Sequence, residues 1–330
     1  MSVADFARDF FSNIHAAGSV SDISATVWLT ALSVTFIGFE AFDGLLIPVG
    51  SVLLRLYYAV LPRRHKPVKV VPGSIGFGPA DDLSGAVIPH QAPPLPQLSR
   101  LDRAFQLFSK VCAATFLIAC IKFSLWEGAY VSTEWCPSLP VNHNEAKSLS
   151  SSSPGTCGEW LLKRWLPSFA WQLPLLFIVY DFFYTLMHWG LHIPFLYPWI
   201  HKHHHRQMSP FRGNADAINV HPIEFMLGDY NHILATFIVT RITGARGEFH
   251  ALTFFLFVLI GGFFASANHT RWNFTIPFGI YDVKYHDVHH RLYNCNYGQY
   301  IMLWDRVFGT FVPFTARVDN AAQGVKTKEG

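Results

Sequence analysis

The sequence predicts an all-α membrane protein that crosses the bilayer several times and carries a helical cap on one side. The chain has 330 residues, of which 51% are hydrophobic and 14% are charged, whereas soluble domains carry about 25% charged residues. It also contains several apolar runs close to the length of about 20 residues that a membrane-spanning helix needs. The formal charge of +3 is too small for a nucleic-acid-binding surface, so nucleic acid is excluded as a partner.

The apolar runs define about four transmembrane helices, including a hairpin. They cover residues 25–47, 104–126, 166–187, 232–240 and 251–267. A further apolar piece, 45–61, is predicted to be separate from the first helix and short or interfacial. Pro174 is expected to kink the third run, since proline disrupts the interior of a helix. The last two runs are joined by a short connection and are predicted to enter and leave the membrane on one side.

The runs also divide the chain into four segments: an N-terminal membrane segment (1–61), a proline-rich linker (62–103), a membrane domain (104–315) and a tail (316–330). Basic residues mark the cytosolic side of a membrane protein. Eight Lys and Arg residues lie in or beside the linker, whereas residues 127–160 contain four Glu and a single Lys. The linker, the cap and the tail are therefore predicted to be cytosolic, and 127–160 lumenal.

Histidine is concentrated in the predicted cap. Of 17 histidines, 13 lie between His188 and His290. Eight of them form one H-x3-H and two H-x2-H-H clusters: His188 and His192; His201, His204 and His205; His286, His289 and His290. Residues three and four positions apart are neighbours on one helical face, so each cluster is predicted to present its imidazoles together. His203 is expected to point away from the second cluster.

Three clusters with matching spacing indicate metal binding, whereas a lone histidine beside a membrane helix is usually a hydrogen-bonded residue. Eight to ten imidazoles suit two ions with four or five ligands each, and His221 and His269 are possible additional ligands. Imidazole binds iron, copper and zinc, so the spacing does not choose the metal. Asp181 and Asp287 are candidate acceptors that would orient ligating imidazoles through their other N–H.

At these residues the chain resembles the membrane fatty acid hydroxylase and sterol desaturase superfamily, over residues 180–313. The resemblance implies two iron ions held by the eight clustered histidines, with no catalytic residue beyond the metal ligands. It implies an enzyme that activates dioxygen and attacks a C–H bond of a lipid. Electrons would come from NAD(P)H through a separate cytochrome of the b type and its reductase.

Within the superfamily, the stretch NYGQYIMLWDRVFGTF (Asn296–Phe311) is most similar to lathosterol oxidases, the sterol carbon-5 desaturases of sterol biosynthesis. The stretch YHDVHHRLY is equally similar to sphingoid-base hydroxylases, so a sphingoid-base or fatty acyl hydroxylase is the alternative. A histidine-rich membrane metal carrier is the alternative from another class. Because histidine must be neutral to bind a metal, activity is expected to fall below about pH 6.

The C-terminal sequence KTKEG places Lys326 and Lys328 five and three residues from the end. This spacing resembles the dilysine retrieval signal of endoplasmic-reticulum membrane proteins. We therefore expect a multi-pass protein of the endoplasmic reticulum membrane, with its active site and C-terminus in the cytosol.

Overall fold

The computed structural model describes residues 3–60, 97–125, 157–207, 210, 212–243, 249–270, 272 and 274–314. The helices in these ranges are α1 Val3–Ala16, α2 Ala25–Val60, α3 Arg100–Leu125, α4 Cys157–Trp160, α5 Leu166–Leu191, α6 Asn214–Ala217, α7 Pro222–Ile242, α8 Ala251–Asn268, α9 Val283–Leu292 and α10 Leu303–Phe308. Short π-helical turns cover Leu161–Trp165 and Tyr197–His201, and 3-10 turns cover Val20–Asp22, His204–Arg206 and Pro277–Gly279. Two short strands, β1 Thr275–Ile276 and β2 Tyr281–Asp282, pair antiparallel with Thr275 opposite Asp282.

Four of the described helices are long and apolar enough to cross a membrane. The candidate spans are Ala25–Leu46, Arg100–Phe123, Leu166–Leu191 and Ala251–Asn268, which lie in α2, α3, α5 and α8. Apart from the two-residue strands, the described fold is helical. The prediction of an all-α, multi-pass membrane protein is confirmed.

The N-terminal membrane helix differs from the prediction. The sequence predicted a helix over 25–47 and a separate piece over 45–61, but α2 runs unbroken from Ala25 to Val60 with Pro48 inside it. Its second half is held by the segment after α8: Leu46 and Leu54 are buried in one cluster with Trp272, and the Tyr57 hydroxyl donates to the Thr275 carbonyl at 2.8 Å. A Cβ atom at Gly50 would overlap the Trp272 ring. Packing against the residues after α8 keeps the second half of α2 helical.

The central helices pack around one aromatic core. Leu176, Phe177 and Tyr180 of α5 meet Phe254 and Phe257 of α8, together with residues of α3 and α7. Helix α5 continues through Pro174 and ends at Leu191, four residues beyond the predicted run. This extension makes His188 part of the last turn of a membrane-spanning helix.

Helices α7 and α8 correspond to the predicted hairpin. Helix α7 is longer than the apolar run 232–240 because it begins at Pro222. Glu224 in its first turn lies 2.8 Å from His201, and His269 directly after α8 lies among the clustered histidines. The two helices therefore start and finish at the same end of the bundle. The predicted linker before residue 97 and the predicted tail lie outside the described residues.

Candidate metal centre

Nine histidines form two adjacent groups whose ligand atoms all lie within 4.8 Å of one another inside each group. The five-histidine group consists of His188, His192, His201, His205 and His289; the four-histidine group consists of His204, His269, His286 and His290. The structure thus brings together all eight clustered histidines of the sequence and adds His269. The two groups touch, since the rings of His205 and His290 are 4.8 Å apart between centroids.

Four parts of the chain position these side chains. The last turn and C-terminal cap of α5 carry His188 and His192, and His269 caps the C-terminus of α8. The second cluster lies on the irregular turns over 197–206, and the third on α9. The metal-binding end of the bundle is therefore assembled from two membrane-helix ends and two segments of the cap.

The second and third clusters are each shared between the two groups, which differs from the predicted common face. His204 joins the four-histidine group while its neighbours His201 and His205 join the other; likewise His289 separates from His286 and His290. On α9, adjacent residues diverge by about 100°, because one turn takes 3.6 residues, so His289 and His290 point to different sides. His204 and His205 diverge on the irregular turns that carry them. Each H-H pair therefore connects the two groups.

Several imidazoles are oriented by backbone carbonyl groups through Nδ1. The pairs are His188 with Tyr297 (2.7 Å), His289 with Cys295 (2.7 Å), His290 with Gln207 (2.9 Å) and His269 with Ala265 (2.8 Å). A carbonyl oxygen can only accept a hydrogen bond, so each of these Nδ1 atoms carries the proton. The lone pair of each ring is consequently on Nε2, the atom that faces the group.

Contacts between Nε2 atoms fit a cation at the centre of each group. In the five-histidine group, Nε2 of His201 lies 3.0 Å from Nε2 of His188 and 2.9 Å from Nε2 of His205. In the four-histidine group, Nε2 of His286 lies 3.2 Å from His269 and 3.0 Å from His290. Metal–nitrogen bonds of about 2.0–2.1 Å place neighbouring ligand atoms ~3 Å apart. Lone pairs facing each other at this distance repel unless a cation lies between them.

Burial keeps these imidazoles neutral. Eight of the nine are buried and His192 is half-buried. Loss of hydration lowers the pKa of His201 to about 3, and burial together with neighbouring histidines lowers the pKa of His204, His286 and His289 well below the usual value. Neutral imidazole is the form that binds a metal ion, so the site is electrostatically prepared for one.

The sequence analysis missed Glu224. Its Oε1 atom lies 2.8 Å from Nδ1 of His201, and both side chains are almost fully buried. A carboxylate at this position orients the ring and strengthens Nε2 as a donor to a metal. No histidine spacing signals Glu224; the only sequence sign is an acidic residue next to the start of an apolar helix.

The two predicted orienting carboxylates have other partners. Asp181 accepts hydrogen bonds from three consecutive backbone N–H groups, those of Gln299 (3.2 Å), Tyr300 (3.1 Å) and Ile301. Its carboxylate therefore holds the 299–301 segment against α5, and these hydrogen bonds go to backbone groups and not to an imidazole. Asp287 is buried and forms an ion pair with Arg291, with 2.9 Å between Oδ2 and Nε.

Two other histidines considered in the sequence analysis, His221 and His203, lie outside the groups. His221 caps the N-terminus of α7, where its Nδ1 accepts the backbone N–H of Ile223 at 3.2 Å. The structure therefore does not bring this possible ligand to either group. His203 points away from them, as expected, and its Nε2 lies 3.0 Å from Oδ1 of Asp102.

Comparison with known proteins relates the histidine-bearing region of the chain to a family. Residues 173–310 match the sequence model of the family described as fatty acid hydroxylase. This region contains all nine grouped histidines. The region therefore belongs to the fatty acid hydroxylase family, which confirms the resemblance drawn from the histidine clusters.

Among its relatives, the chain is 32% identical to human cholesterol 25-hydroxylase over 41% of this chain and 48% of that protein. It is 31% identical to a probable Delta(7)-sterol 5(6)-desaturase of Neurospora crassa, over 45% and 40% of the two chains. It is 30% identical to sphinganine C4-monooxygenase 2 of Arabidopsis thaliana, over 44% and 55%. The chain thus spans about half the length of the curated relatives it matches. No solved structure matches it.

Proposed function

We propose that the chain is an oxidoreductase that uses dioxygen to modify a lipid at a pair of iron ions, one in each histidine group. The observation that carries this proposal is the adjacency of the two buried groups at the ends of membrane-spanning helices. Bound iron would supply the redox chemistry that breaks a C–H bond. Backbone carbonyls and Glu224 hold five of the nine imidazoles in place, and burial excludes water from the reacting region.

The finer proposal concerns the substrate. The similarity of Asn296–Phe311 to sterol carbon-5 desaturases favours a sterol and the insertion of a ring double bond. The alternative is a sphingoid-base or fatty acyl hydroxylase, and the names of the relatives include both a sterol and a sphinganine enzyme. Electrons would reach the site from NAD(P)H through a separate cytochrome of the b type and its reductase. The proposed location is the endoplasmic reticulum membrane, with the histidine groups facing the cytosol.

The decisive experiment expresses the chain in cells that lack their own sterol carbon-5 desaturase. Membranes are supplied with NADH and dioxygen, sterols and sphingoid bases are profiled, and bound metals are counted by mass spectrometry. A new double bond in the sterol ring system supports the finer proposal, and a new hydroxyl on a long-chain base supports the alternative. Two metals per chain without any lipid change would instead favour a metal carrier.

A matched pair of variants tests the site itself. His289→Ala removes one imidazole of the five-histidine group, and we expect loss of bound metal together with loss of lipid product. His203→Ala removes a neighbouring histidine that faces Asp102, and both readouts should stay at the wild-type level. Full metal content in His289→Ala would remove this residue from the proposed ligands.

The orientation has its own test. The sequence contains two glycosylation sequons, Asn268-His-Thr at the end of α8 and Asn273-Phe-Thr a few residues later in the chain. If this end faces the cytosol, neither is modified. A glycosidase-sensitive mass shift traced to either residue would place the histidine groups in the lumen.

A further inference from the structure

Helix α2 continues well beyond the candidate membrane span that it contains. The helix has 36 residues, whereas the candidate span ends at Leu46. At about 1.5 Å per residue a helix of this length reaches ~54 Å, but the hydrocarbon core of a bilayer is only about 30 Å thick. Residues 47–60, which we call the α2 extension, therefore continue past the core at one surface of the bilayer.

One face of the α2 extension packs against the segment that follows α8. Leu54 lies in a core cluster with Trp272, and the Tyr57 hydroxyl donates to the Thr275 carbonyl. Trp272 lies three residues after His269 of the four-histidine group. The α2 extension is therefore on the same side of the membrane as the candidate metal centre.

The opposite face of the α2 extension exposes a row of large apolar side chains, which we call the outer stripe. Spacings of three and four residues place its members on one side of the helix. The exposed fraction of each is between 47% and 79%. The outer stripe consists of Val49, Val52, Leu53, Leu56 and Val60. A contiguous apolar surface of this kind marks contact with a membrane or with another protein segment.

The outer stripe continues the side of α2 that faces lipid in the candidate span. Val34 and Leu45 are eleven residues apart, which is about three helical turns, and both are more than half exposed within that span. Val49 follows Leu45 by four residues on the same side of an unbroken helix. Because the membrane covers the first part of this side, the adjoining leaflet is the partner that continues the contact.

Charge near the end of the helix favours the same partner. The sequence directly after α2 contains Arg63, Arg64, Lys66 and Lys69. Clusters of basic residues beside a membrane helix bind the anionic lipids of the cytosolic leaflet. A second copy of this chain would bring like charges together, so charge favours the leaflet over self-association.

We propose that the α2 extension lies along the leaflet next to the candidate metal centre, with the outer stripe against acyl chains and the other face carrying the segment after α8. An amphipathic helix in this position buries its apolar face roughly 5–10 Å into the boundary between headgroups and acyl chains. The interfacial position expected from the sequence of 45–61 is thereby kept, although the helix is continuous. The contact seats the four-histidine group at the membrane surface, and it does not depend on the proposed reaction.

The hairpin beside the α2 extension provides a second contact with the leaflet. Thr275 of β1 is bonded to Tyr57, and the turn between β1 and β2 presents Phe278, which is 91% exposed. Phe278 has a φ of 65°, a conformation that is unfavourable for a bulky residue other than glycine. Such strain persists where a side chain has a binding role, and an exposed aromatic ring fits the boundary between headgroups and acyl chains.

Spin labels on the full-length protein in lipid nanodiscs test the position of the outer stripe. The label is attached at Leu53→Cys or Leu56→Cys, and unsubstituted protein treated in the same way gives the signal of the native cysteines. Oxygen concentrates among acyl chains and a nickel chelate stays in water, so we expect stronger relaxation by oxygen than by nickel at both positions. Arg8→Cys, at an exposed charged residue of α1, is the control and should show the reverse.

Three results would overturn the proposal. Relaxation by nickel at Leu53→Cys and Leu56→Cys equal to that at Arg8→Cys would mean that the outer stripe faces water. Protection from both reagents with spin–spin broadening, lost on dilution with unlabelled protein, would mean that a second copy covers the stripe. Protection without broadening would mean that another segment of the chain covers it.

The hairpin is tested in the same way with Phe278→Cys, where we again expect relaxation by oxygen to exceed relaxation by nickel. The opposite order at this position would remove the hairpin from the contact. Bound metal is counted on every sample to show that the labelled protein is folded. The labels report their surroundings whether or not a lipid is oxidised, so failure of this proposal and failure of the proposed function are distinguishable.

Discussion

Nδ1 of His201 lies 2.8 Å from Oε1 of Glu224, and this contact joins the cap to the first turn of a membrane helix. His201 belongs to an irregular turn, whereas Glu224 belongs to α7. A carboxylate behind a ligating imidazole fixes the ring and raises the basicity of its other nitrogen. The contact therefore couples the geometry of the five-histidine group to the packing of α7.

Glu224→Gln tests this coupling. The amide keeps the size of the side chain but loses its charge, so we expect metal affinity to fall about 10- to 100-fold, as is typical of such partners. Metal content after titration with a chelator measures the effect. Glu40→Gln is the matched control, because this exposed carboxylate pairs with Lys110 and not with a grouped histidine. Equal affinity in Glu224→Gln and wild type would contradict the assigned role.

Replacing His269 and His221 one at a time distinguishes a metal ligand from a helix cap. His269 belongs to the four-histidine group, so His269→Ala should reduce the bound metal from two ions per chain towards one. His221→Ala should keep both ions and lose only a helix cap, with a cost of about 1 kcal/mol in the free energy of unfolding. Metal analysis and thermal unfolding of both variants check this. Metal loss in His221→Ala with wild-type content in His269→Ala would reverse the assignment.

The sequence predicted the membrane helices and the clustered histidines because both depend on local spacing. Long apolar runs and H-x3-H patterns are properties of one helix. The distribution of His204 and His205 between two groups depends on the irregular turns that carry them, and turns of this kind leave no periodic signal.

The remaining errors concern contacts between distant parts of the chain. Glu224 meets His201, and Asp181 meets the backbone of residues 299–301, more than 100 residues away. A hydrogen bond to the backbone leaves no pattern of side chains in the sequence. We therefore predicted an imidazole as the partner of Asp181. Helix α2 was divided in the prediction because the packing of Gly50 against Trp272 cannot be read from residues 45–61 alone.

The pH dependence follows from the lowered histidine pKa values. In an unfolded chain histidine has a pKa of about 6.5, whereas burial lowers that of His201 to about 3. Below about pH 6.5 the unfolded chain therefore binds more protons than the folded one, so stability falls as the pH falls. The folded groups stay neutral at pH 5, so acid should release metal only as the protein unfolds.

Dialysis at decreasing pH, followed by metal analysis and circular dichroism, checks this prediction. We expect the midpoint of metal release and the midpoint of unfolding to coincide and to lie below pH 6. Histidines with an unshifted pKa would release the metal at a higher pH. Release of metal near pH 6 from a fully helical protein would show that the groups are protonated in the folded state, and would contradict the effect of burial described above.

Asp181→Asn tests the contact that fixes the segment after the last histidine cluster. The carboxylate accepts from the backbone N–H groups of three consecutive residues, 299–301, whereas the asparagine amide would turn an N–H towards some of them. Loss of hydrogen bonds to a buried charge costs roughly 1.5–3 kcal/mol, so the unfolding midpoint should fall. Tyr297, whose carbonyl orients His188, lies two residues before this segment, so metal in the five-histidine group should be lost first.

Asp22→Asn removes an exposed carboxylate that also accepts a backbone N–H, and it should change neither the unfolding midpoint nor the metal content. A loss of stability in Asp181→Asn with both metals retained at wild-type affinity would limit Asp181 to packing and separate it from the site.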